Sequence, residues 1–125
     1  MKALGLLMSS KMLILIAGIT GNIGSKLIEP LHARGQQIRG LGRNKDKLPQ
    51  TQLDKLESFC TTESWYDAEA IRRALQGVDA VICTYAPQPV LLLDAQLLLL
   101  RIMEEERVTV STYVLSAAKL GLTHI

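Results

Sequence analysis

Three glycines at three-residue spacing follow an apolar run near the start of the chain, in the segment ILIAGITGNIG (residues 14–24). The continuously apolar residues 13–17 are typical of a strand buried on both faces of a parallel sheet. Gly18, Gly21 and Gly24 then allow a tight turn, because glycine has no Cβ. Where such a turn leads into a helix, unpaired N–H groups and the helix dipole form an anion site. The segment predicts a strand–turn–helix unit that holds the pyrophosphate of a dinucleotide.

The spacing G-x-x-G-x-x-G differs from the commoner dinucleotide fingerprint G-x-G-x-x-G, so the motif alone leaves a purely structural turn open. The sequence that follows favours binding, because apolar residues recur at helical spacing between residues 23 and 31. We predict one helix over residues 22–34, with Gly35 as its C-terminal cap. Pro30 is expected to bend this helix late, which leaves its first turn intact.

Strand-like and helix-like segments alternate along the rest of the chain. This alternation predicts an α/β fold, a Rossmann-type doubly wound parallel sheet in three layers. Asp67 and Gly77 are expected to cap the second predicted helix, over residues 68–76, at its two ends. The predicted strands cover residues 12–17, 37–41, 56–60, 79–84 and 108–111, and the predicted helices cover residues 22–34, 68–76, 90–105 and 113–120, with a loop over residues 44–52.

Ligands of such sheets bind at the carboxyl ends of the strands, so the residues just after each predicted strand matter most. These segments are residues 18–24, 42–44, 64–67, 84–87 and 111–113.

The bulk composition fits one domain. A chain of 125 residues, 48% hydrophobic, suffices for one core, which we assign to residues 11–125 after an N-terminal extension over residues 1–10. A net charge of +2 and an aromatic content of 4% argue against nucleic-acid binding. The apolar residues 91–103 are interrupted by polar side chains and are too short to span a bilayer, so no membrane association is expected.

The two cysteines, Cys60 and Cys83, have neither metal-ligand spacing nor a disulfide framework. We therefore predict no metal site and a reducing, cytoplasmic setting. Cys83 lies in an apolar run and is expected to be a small core residue.

A basic side chain stands where an NAD site usually has an acid. The segment GLGRNKDK (residues 40–47) follows the second predicted strand, where an Asp or Glu would bind the ribose hydroxyls of NAD. Arg43 could instead pair with a 2′-phosphate and stack on adenine, and Lys47 could add a second charge. A solvated basic loop is the alternative, and the preceding glycine turn favours the phosphate interpretation.

Tyr113 and Lys119 raise the possibility of a reductase dyad, in which a lysine lowers the pKa of a phenol. The two residues are six apart and would point to different faces of a regular helix. A packing tyrosine and a surface lysine are the favoured interpretation.

Three segments together resemble the isoflavone-reductase-like and NmrA-like branch of atypical short-chain dehydrogenases. They are AGITGNIGSKLIEPLHARGQQIRGLGRN (residues 17–44), AEAIRRALQGVDAVICTYAP (residues 68–87) and LLDAQLLLLRIMEEE (residues 92–106). The resemblance covers about residues 11–107, and the glycine turn with the following arginine is its most specific part. It implies a Rossmann domain that prefers NADPH, followed in the family by a small C-terminal substrate domain that is missing here.

The resemblance also implies roles for individual residues. Arg43 would take the 2′-phosphate, and Lys119 is the candidate for the family's catalytic lysine. The other implied contacts are Gly18, Thr20, Gly21, Asn22, Ile23 and Gly24 at the pyrophosphate, Trp65, Tyr66 and Asp67 near the adenine, and Thr84, Tyr85, Ala86 and Pro87 on the nicotinamide side.

Three functions remain open at this point. The chain could be an NADPH-dependent reductase or a truncated and weak form of one. It could be a non-catalytic nucleotide sensor that binds a protein partner, as NmrA-like regulators do. It could also be a fragment without function. Because the chain is short for this family, we expect a poor catalyst of unidentified substrate that self-associates through an uncovered face.

Overall fold

The computed structural model describes residues 11–64, 66–85, 89–106 and 112–115. The predictions that lie outside these residues are the N-terminal extension over residues 1–10 and the site residues Trp65, Ala86, Pro87 and Lys119.

Five parallel strands form one sheet with the order β3-β2-β1-β4-β5. The first strand lies in the centre, where Ile14 pairs with Ile38 on one side and with Ala80 on the other. The chain thus extends the sheet first on one side of β1 and then on the other, an order that confirms the predicted Rossmann-type fold. The strands are β1 (Leu13–Ala17), β2 (Gln37–Gly42), β3 (Ser58–Thr61), β4 (Ala80–Cys83) and β5 (Thr112–Leu115).

Helices connect the strands on both faces of the sheet. They are α1 (Asn22–Lys26), α2 (Ile28–Ala33), α3 (Gln50–Leu53), α4 (Ala68–Leu75) and α5 (Pro89–Glu105), with a 3₁₀ helix at Lys45–Lys47. None of the helices in the described residues combines the length and the apolar character that crossing a bilayer requires.

Two apolar layers sandwich the sheet. On one face, Leu15 and Val81 pack with Ile71 of α4 and Leu99 of α5. On the other face, Ile14, Ile16 and Ile38 pack with Ile28 and Leu31 of α2. Alternate residues of β1 therefore serve opposite layers, which explains its continuous apolar run and confirms the three-layer prediction.

The single helix predicted over residues 22–34 is wrong, because the structure divides it at Leu27. Pro30 has no N–H to donate to the carbonyl of Lys26, so a continuous helix would lose that bond. In the structure Pro30 is the third residue of a new helix, a position whose N–H needs no intrahelical partner. The expectation that the first turn stays helical is confirmed by α1.

The described part of the last strand is β5, Thr112–Leu115, with Tyr113 paired in register with Val81. The strand predicted over residues 108–111 lies outside the described residues. The helix predicted from residue 113 is wrong over its first three residues, because they belong to β5. Tyr113 lies on a strand, so the hypothesis of a Tyr113–Lys119 dyad on one helix is wrong too. The misassigned TYVL segment is itself aromatic and β-branched, which favours a strand.

Other local predictions are confirmed. Asp67 caps α4, and its carboxylate accepts the backbone N–H of Ala70 at 3.2 Å. The helices α2 and α4 end just before Gly35 and Gly77. Cys83 is fully buried in the core, and Cys60 is half-buried; within the described residues neither forms a disulfide.

Arg39 ties three elements together from the middle of β2. Its guanidinium donates to the carbonyl oxygens of Ala74 and Gln76, at 2.8 and 2.6 Å, which end α4. It also binds both carboxylate oxygens of Glu57 at 3.2 Å, just before β3. The Arg39 side chain is only 12% exposed. One cation thus satisfies helix-end carbonyls and joins them to two strands.

Glu57 makes the stability dependent on pH. Hydrogen bonds from Arg39 and Ser58 hold the pKa of its carboxyl below the ordinary value. The folded-state pKa is thus lower than that of the unfolded chain, about 4.3. The resulting stabilisation is fully present above that value and is lost as the pH falls through the folded-state pKa. We expect the urea midpoint to fall between about pH 6 and pH 3, and to fall less in Glu57→Gln.

Asp67 contributes to the same pH dependence, because the backbone N–H groups of Glu63 and Ala70 lower its pKa. Glu57→Gln should therefore remove only one part of the slope. The control is Glu63→Gln, an exposed position that should keep the wild-type slope. Equal slopes for Glu57→Gln and the wild type would contradict the role of the Arg39–Glu57 pair.

Candidate functional site

A cleft opens at the carboxyl ends of β1, β2 and β4. This is the edge at which open α/β sheets bind their ligands, because the chain crosses in opposite directions on either side of β1. The residues that line the cleft are Gly18, Thr20, Gly21, Leu41, Gly42, Arg43, Asn44, Lys47, Thr62, Thr84 and Tyr85.

The glycine turn forms the floor of this cleft. Gly18 has a φ of +83°, a left-handed conformation that side chains other than glycine adopt at a cost. Its N–H donates to Leu41 of β2 at 2.9 Å, and its carbonyl accepts the N–H of Gly21 at 3.0 Å. The turn is therefore both closed on itself and tied to the neighbouring strand.

Gly21 and Gly24 are needed for different reasons. A Cβ placed on Gly24 would lie 2.5 Å from the carbonyl oxygen of Gly18 and 2.8 Å from the Cα of Ile19, so this glycine allows α1 to approach the turn. A Cβ on Gly21 would meet only the Gly18 oxygen, at 3.3 Å. With an ordinary φ of −78°, Gly21 keeps open a space in the cleft and relieves no backbone strain.

Thr84 holds the turn from β4. Its backbone N–H donates to Ala17 at 2.8 Å, and its hydroxyl lies 2.9 Å from the same carbonyl oxygen and 3.1 Å from that of Gly18. The residue is 4% exposed. Thr84 therefore positions the end of β1 as well as lining the cleft.

Backbone donors are available where α1 begins. Gly21 is its N-cap, and the carbonyl of Gly21 accepts the first helical bond from Ser25 at 3.0 Å. Among the described residues, the N–H groups of Asn22, Ile23 and Gly24 have no hydrogen-bond partner. Such groups carry the positive end of the helix dipole, and they follow directly on a residue of the cleft. This arrangement suits a phosphate.

Two cations line the same cleft as the glycine turn. Arg43 follows β2 directly, and Lys47 closes the 3₁₀ helix; both side chains are exposed and both line the cleft. Asn44 shapes this loop, because its side-chain oxygen accepts the N–H of Asp46 at 3.0 Å and so caps the 3₁₀ helix. The short helix turns the chain back toward Arg43, so that Lys47 lines the same cleft.

Tyr85 and Thr62 close the remaining side. Tyr85 is 4% exposed, and burial raises the pKa of its phenol. Thr62 follows β3 and is buried; its N–H donates to Gly42 at 2.9 Å and its hydroxyl donates to Ser64 at 2.8 Å. Neither side chain is ionised near neutral pH, so the charge lining the described cleft is positive.

Seven predicted site residues meet at this cleft. Gly18, Thr20, Gly21, Arg43, Lys47, Thr84 and Tyr85 line it. Five others do not: Asn22, Ile23 and Gly24 begin α1, Tyr66 is 47% exposed, and Asp67 caps α4 through its carboxylate. Contact of any of these twelve residues with a cofactor stays a prediction.

Sequence reasoning missed part of the lining. Leu41 and Thr62 were not selected, while Gly42 and Asn44 fell only within a segment marked as important. Thr62 was missed because the segment selected after β3 was residues 64–67, whereas β3 ends at Thr61 and Thr62 follows it directly. The rule that the residues just after a parallel strand lie at this edge, applied from the strand end itself, would have found Thr62.

Comparison with known proteins identifies the family. A family model described as NAD(P)H-binding matches residues 18–121, which include the glycine turn and the whole described cleft. The chain belongs to the NAD(P)H-binding family. No curated protein matches it.

Within the described residues, no group of three or more His, Cys, Asp or Glu side chains is placed to hold a metal ion.

Several solved structures are similar to this chain in fold. A short-chain dehydrogenase/reductase from Veillonella parvula DSM 2008 in complex with NADP matches with a TM-score of 0.70 and 16% identity, over 85% of this chain and 47% of that one. An isoflavone reductase matches with a TM-score of 0.68 and 22% identity, over 83% and 35%. A Rossmann-fold NAD(P)-binding family protein from Shigella flexneri matches with a TM-score of 0.68 and 17% identity, over 83% and 50%.

These likenesses establish the Rossmann fold. The chain spans between about a third and a half of the length of the structures it matches.

Proposed function

We propose that the protein is an NADP(H)-preferring Rossmann domain of the isoflavone-reductase-like and NmrA-like kind, within the family of NAD(P)H-binding proteins. The observation that carries this proposal is the pair of cations, Arg43 and Lys47, in one cleft with the glycine turn. A carboxylate after β2 would accept hydrogen bonds from the ribose hydroxyls of NAD. A guanidinium at that place offers planar donors that suit the 2′-phosphate of NADP.

The glycine turn and the start of α1 also suit the pyrophosphate of the dinucleotide. Gly21 leaves space in front of the turn, and the N–H groups that follow it have no partner among the described residues. When bound, a nicotinamide dinucleotide would supply hydride chemistry. The residues described here would bind and orient the dinucleotide, and the NADP held by the dehydrogenase from Veillonella parvula is consistent with this proposal.

The test is the affinity of Arg43→Ala for the two cofactors. A hydrogen bond to a charged group contributes roughly 1.5–3 kcal/mol, so NADPH binding should weaken by about ten- to a hundredfold. NADH lacks the 2′-phosphate, so its affinity should stay nearly unchanged. Calorimetric titration of the purified protein with each cofactor measures both values.

Lys45, two residues after Arg43, provides a control with the same charge. It is exposed on the 3₁₀ helix that carries Lys47 and does not line the cleft, so Lys45→Ala should change NADPH affinity by less than about threefold. If Arg43→Ala weakened both cofactors equally, the assignment of Arg43 to the 2′-phosphate would be wrong.

The reductase and sensor hypotheses differ in one measurable outcome. NADPH oxidation with a panel of enones, quinones and phenolic ethers would support a reductase. Tight binding without turnover would support a nucleotide sensor. The substrate class stays open, because the described cleft residues provide the dinucleotide side of a site.

A further inference from the structure

We propose that the outer face of α5 is a self-complementary surface through which two copies of this chain associate antiparallel. We call this surface the α5 face and define it by Asp94, Leu97, Leu100 and Arg101. The proposal is independent of the proposed function, because no residue of this face lines the cleft.

The apolar part of the α5 face is unusual in this molecule. Among the described residues, the large apolar side chains that are exposed are Leu97 at 52%, Leu100 at 41% and Tyr66 at 47%. Leu97 and Leu100 are three residues apart on one helix, so they are neighbours on its surface. The opposite side of α5 is already used, since Ala95, Leu99 and Ile102 are buried in the core. The two leucines thus extend an apolar patch into solvent.

Two charges frame this patch. Asp94 lies one turn before Leu97, and Arg101 lies one turn after it; both are exposed. In the described part of the chain, neither makes an ion pair, whereas Glu105 at the end of the helix and Glu106 just after it both pair with Arg72, at 3.5 and 3.2 Å. Glu104 is also exposed and makes no ion pair among the described residues, but it lies beyond Arg101. Asp94 and Arg101 are therefore the unpaired charges that flank Leu97.

The order of these residues favours a second copy as the occupant. At 3.6 residues per turn, Asp94 and Arg101 lie on the same side of Leu97, and Leu100 lies on the other side. A two-fold axis that runs two such helices antiparallel past each other brings Asp94 of each copy opposite Arg101 of the other. It also stacks the Leu97 side chains at the centre and leaves Leu100 beside them. Two ion pairs form by symmetry, as an isologous interface requires.

A membrane or an acidic partner fits this side of α5 less well, because its exposed charges are of both signs, with Asp94 and Glu104 acidic and Arg101 basic. The leucines supply the apolar area that stabilises the dimer, because exposed ion pairs contribute little free energy. The ion pairs fix the antiparallel orientation of the two helices. One helix face is smaller than a standard interface, so we expect a weak dimer with a Kd of about 10–100 µM.

Sedimentation velocity of the full chain over about 1–500 µM measures this equilibrium. Leu97→Glu should raise the Kd at least about tenfold, since it places a carboxylate at the centre of the patch. Asp94→Arg and Arg101→Asp should each raise it, because each leaves like charges opposed. The double variant Asp94→Arg/Arg101→Asp should restore the Kd to within about threefold of the wild-type value.

Controls separate this proposal from misfolding and from cofactor binding. Arg34→Asp reverses a charge at the C-cap of α2, a helix that packs on the other face of the sheet, and should leave the Kd unchanged. Circular dichroism and NADPH titration should give wild-type results for all α5 variants. A monomer at every concentration would overturn the proposal, as would a dimer that Leu97→Glu leaves intact or a double variant that stays monomeric. Failure of NADPH binding in the wild type would overturn the proposed function alone.

Discussion

A Gly21→Val variant is expected to fold normally and to bind neither NADPH nor NADH. Gly21 has an extended conformation that valine adopts readily, with φ −78° and ψ 177°. A Cβ there would meet the carbonyl oxygen of Gly18 at 3.3 Å, and the two methyl groups would extend into the cleft that Gly21 lines. The space for a pyrophosphate would be filled, so affinity for both cofactors should fall by more than about a hundredfold.

The control for this variant is a glycine that should show the opposite pattern. Gly35 lies at the other end of the sheet with a φ of +77°, and a Cβ there would have no neighbour within 4 Å. Gly35→Ala should therefore cost about 1 kcal/mol of stability through backbone strain while leaving affinity unchanged. Isothermal titration and urea unfolding of both variants test the contrast. Normal cofactor binding by a folded Gly21→Val protein would show that the turn is merely structural.

Replacing Arg39 by methionine is expected to produce the largest loss of stability, about 3 kcal/mol of unfolding free energy. Methionine fills similar space but leaves the carbonyls of Ala74 and Gln76 without their donor. It also leaves the carboxylate of Glu57 without its bidentate partner. Arg39→Lys keeps one charge but cannot reach both partners with a planar fork, so its loss should be intermediate.

Arg34 provides the matched arginine for comparison. Its guanidinium donates to one exposed carbonyl, that of Pro30, at 3.1 Å. Arg34→Met should therefore change the unfolding free energy by less than about 0.5 kcal/mol. Chemical denaturation at neutral pH measures all three variants. If Arg34→Met and Arg39→Met were equally destabilising, the network around Arg39 would have no special role.

Patterns confined to one segment predicted the fold well. The continuous apolar run of β1 predicted a strand that is covered on both faces of the sheet, and in the structure helices pack on both faces. Asp67 was identified as a cap because carboxylates before a helix accept its first N–H groups, and this holds in the structure. The division between α1 and α2 was harder to predict from the sequence. Pro30 signals a bend, but whether the chain bends or restarts depends on packing around Leu27.

The error at residues 113–115 has a different cause. Residues 108–111 and 112–115 are both rich in β-branched or aromatic residues, so local preference does not fix the bounds of the last strand. Pairing with β4 places Thr112 opposite Ala80 and makes residues 113–115 part of a strand, and sequence alone carries no such pairing information. In the site, Arg43 was found from its place directly after β2. Thr62 likewise follows β3 directly, and it was missed because the segment selected after that strand began at residue 64.

The contact between Thr84 and the turn has a consequence for the order in which the protein becomes competent to bind. The hydroxyl of Thr84 and the carbonyl of Ala17 that it meets are 67 residues apart in sequence. A growing polypeptide that has left the ribosome only as far as β3 contains the glycine motif but lacks the residue that fixes it. Such a long-range closure forms late and slowly compared with helix formation. A nucleotide that recognises the finished turn can therefore stabilise only chains extended beyond β4, and it selects for completed folding without guiding the earlier steps.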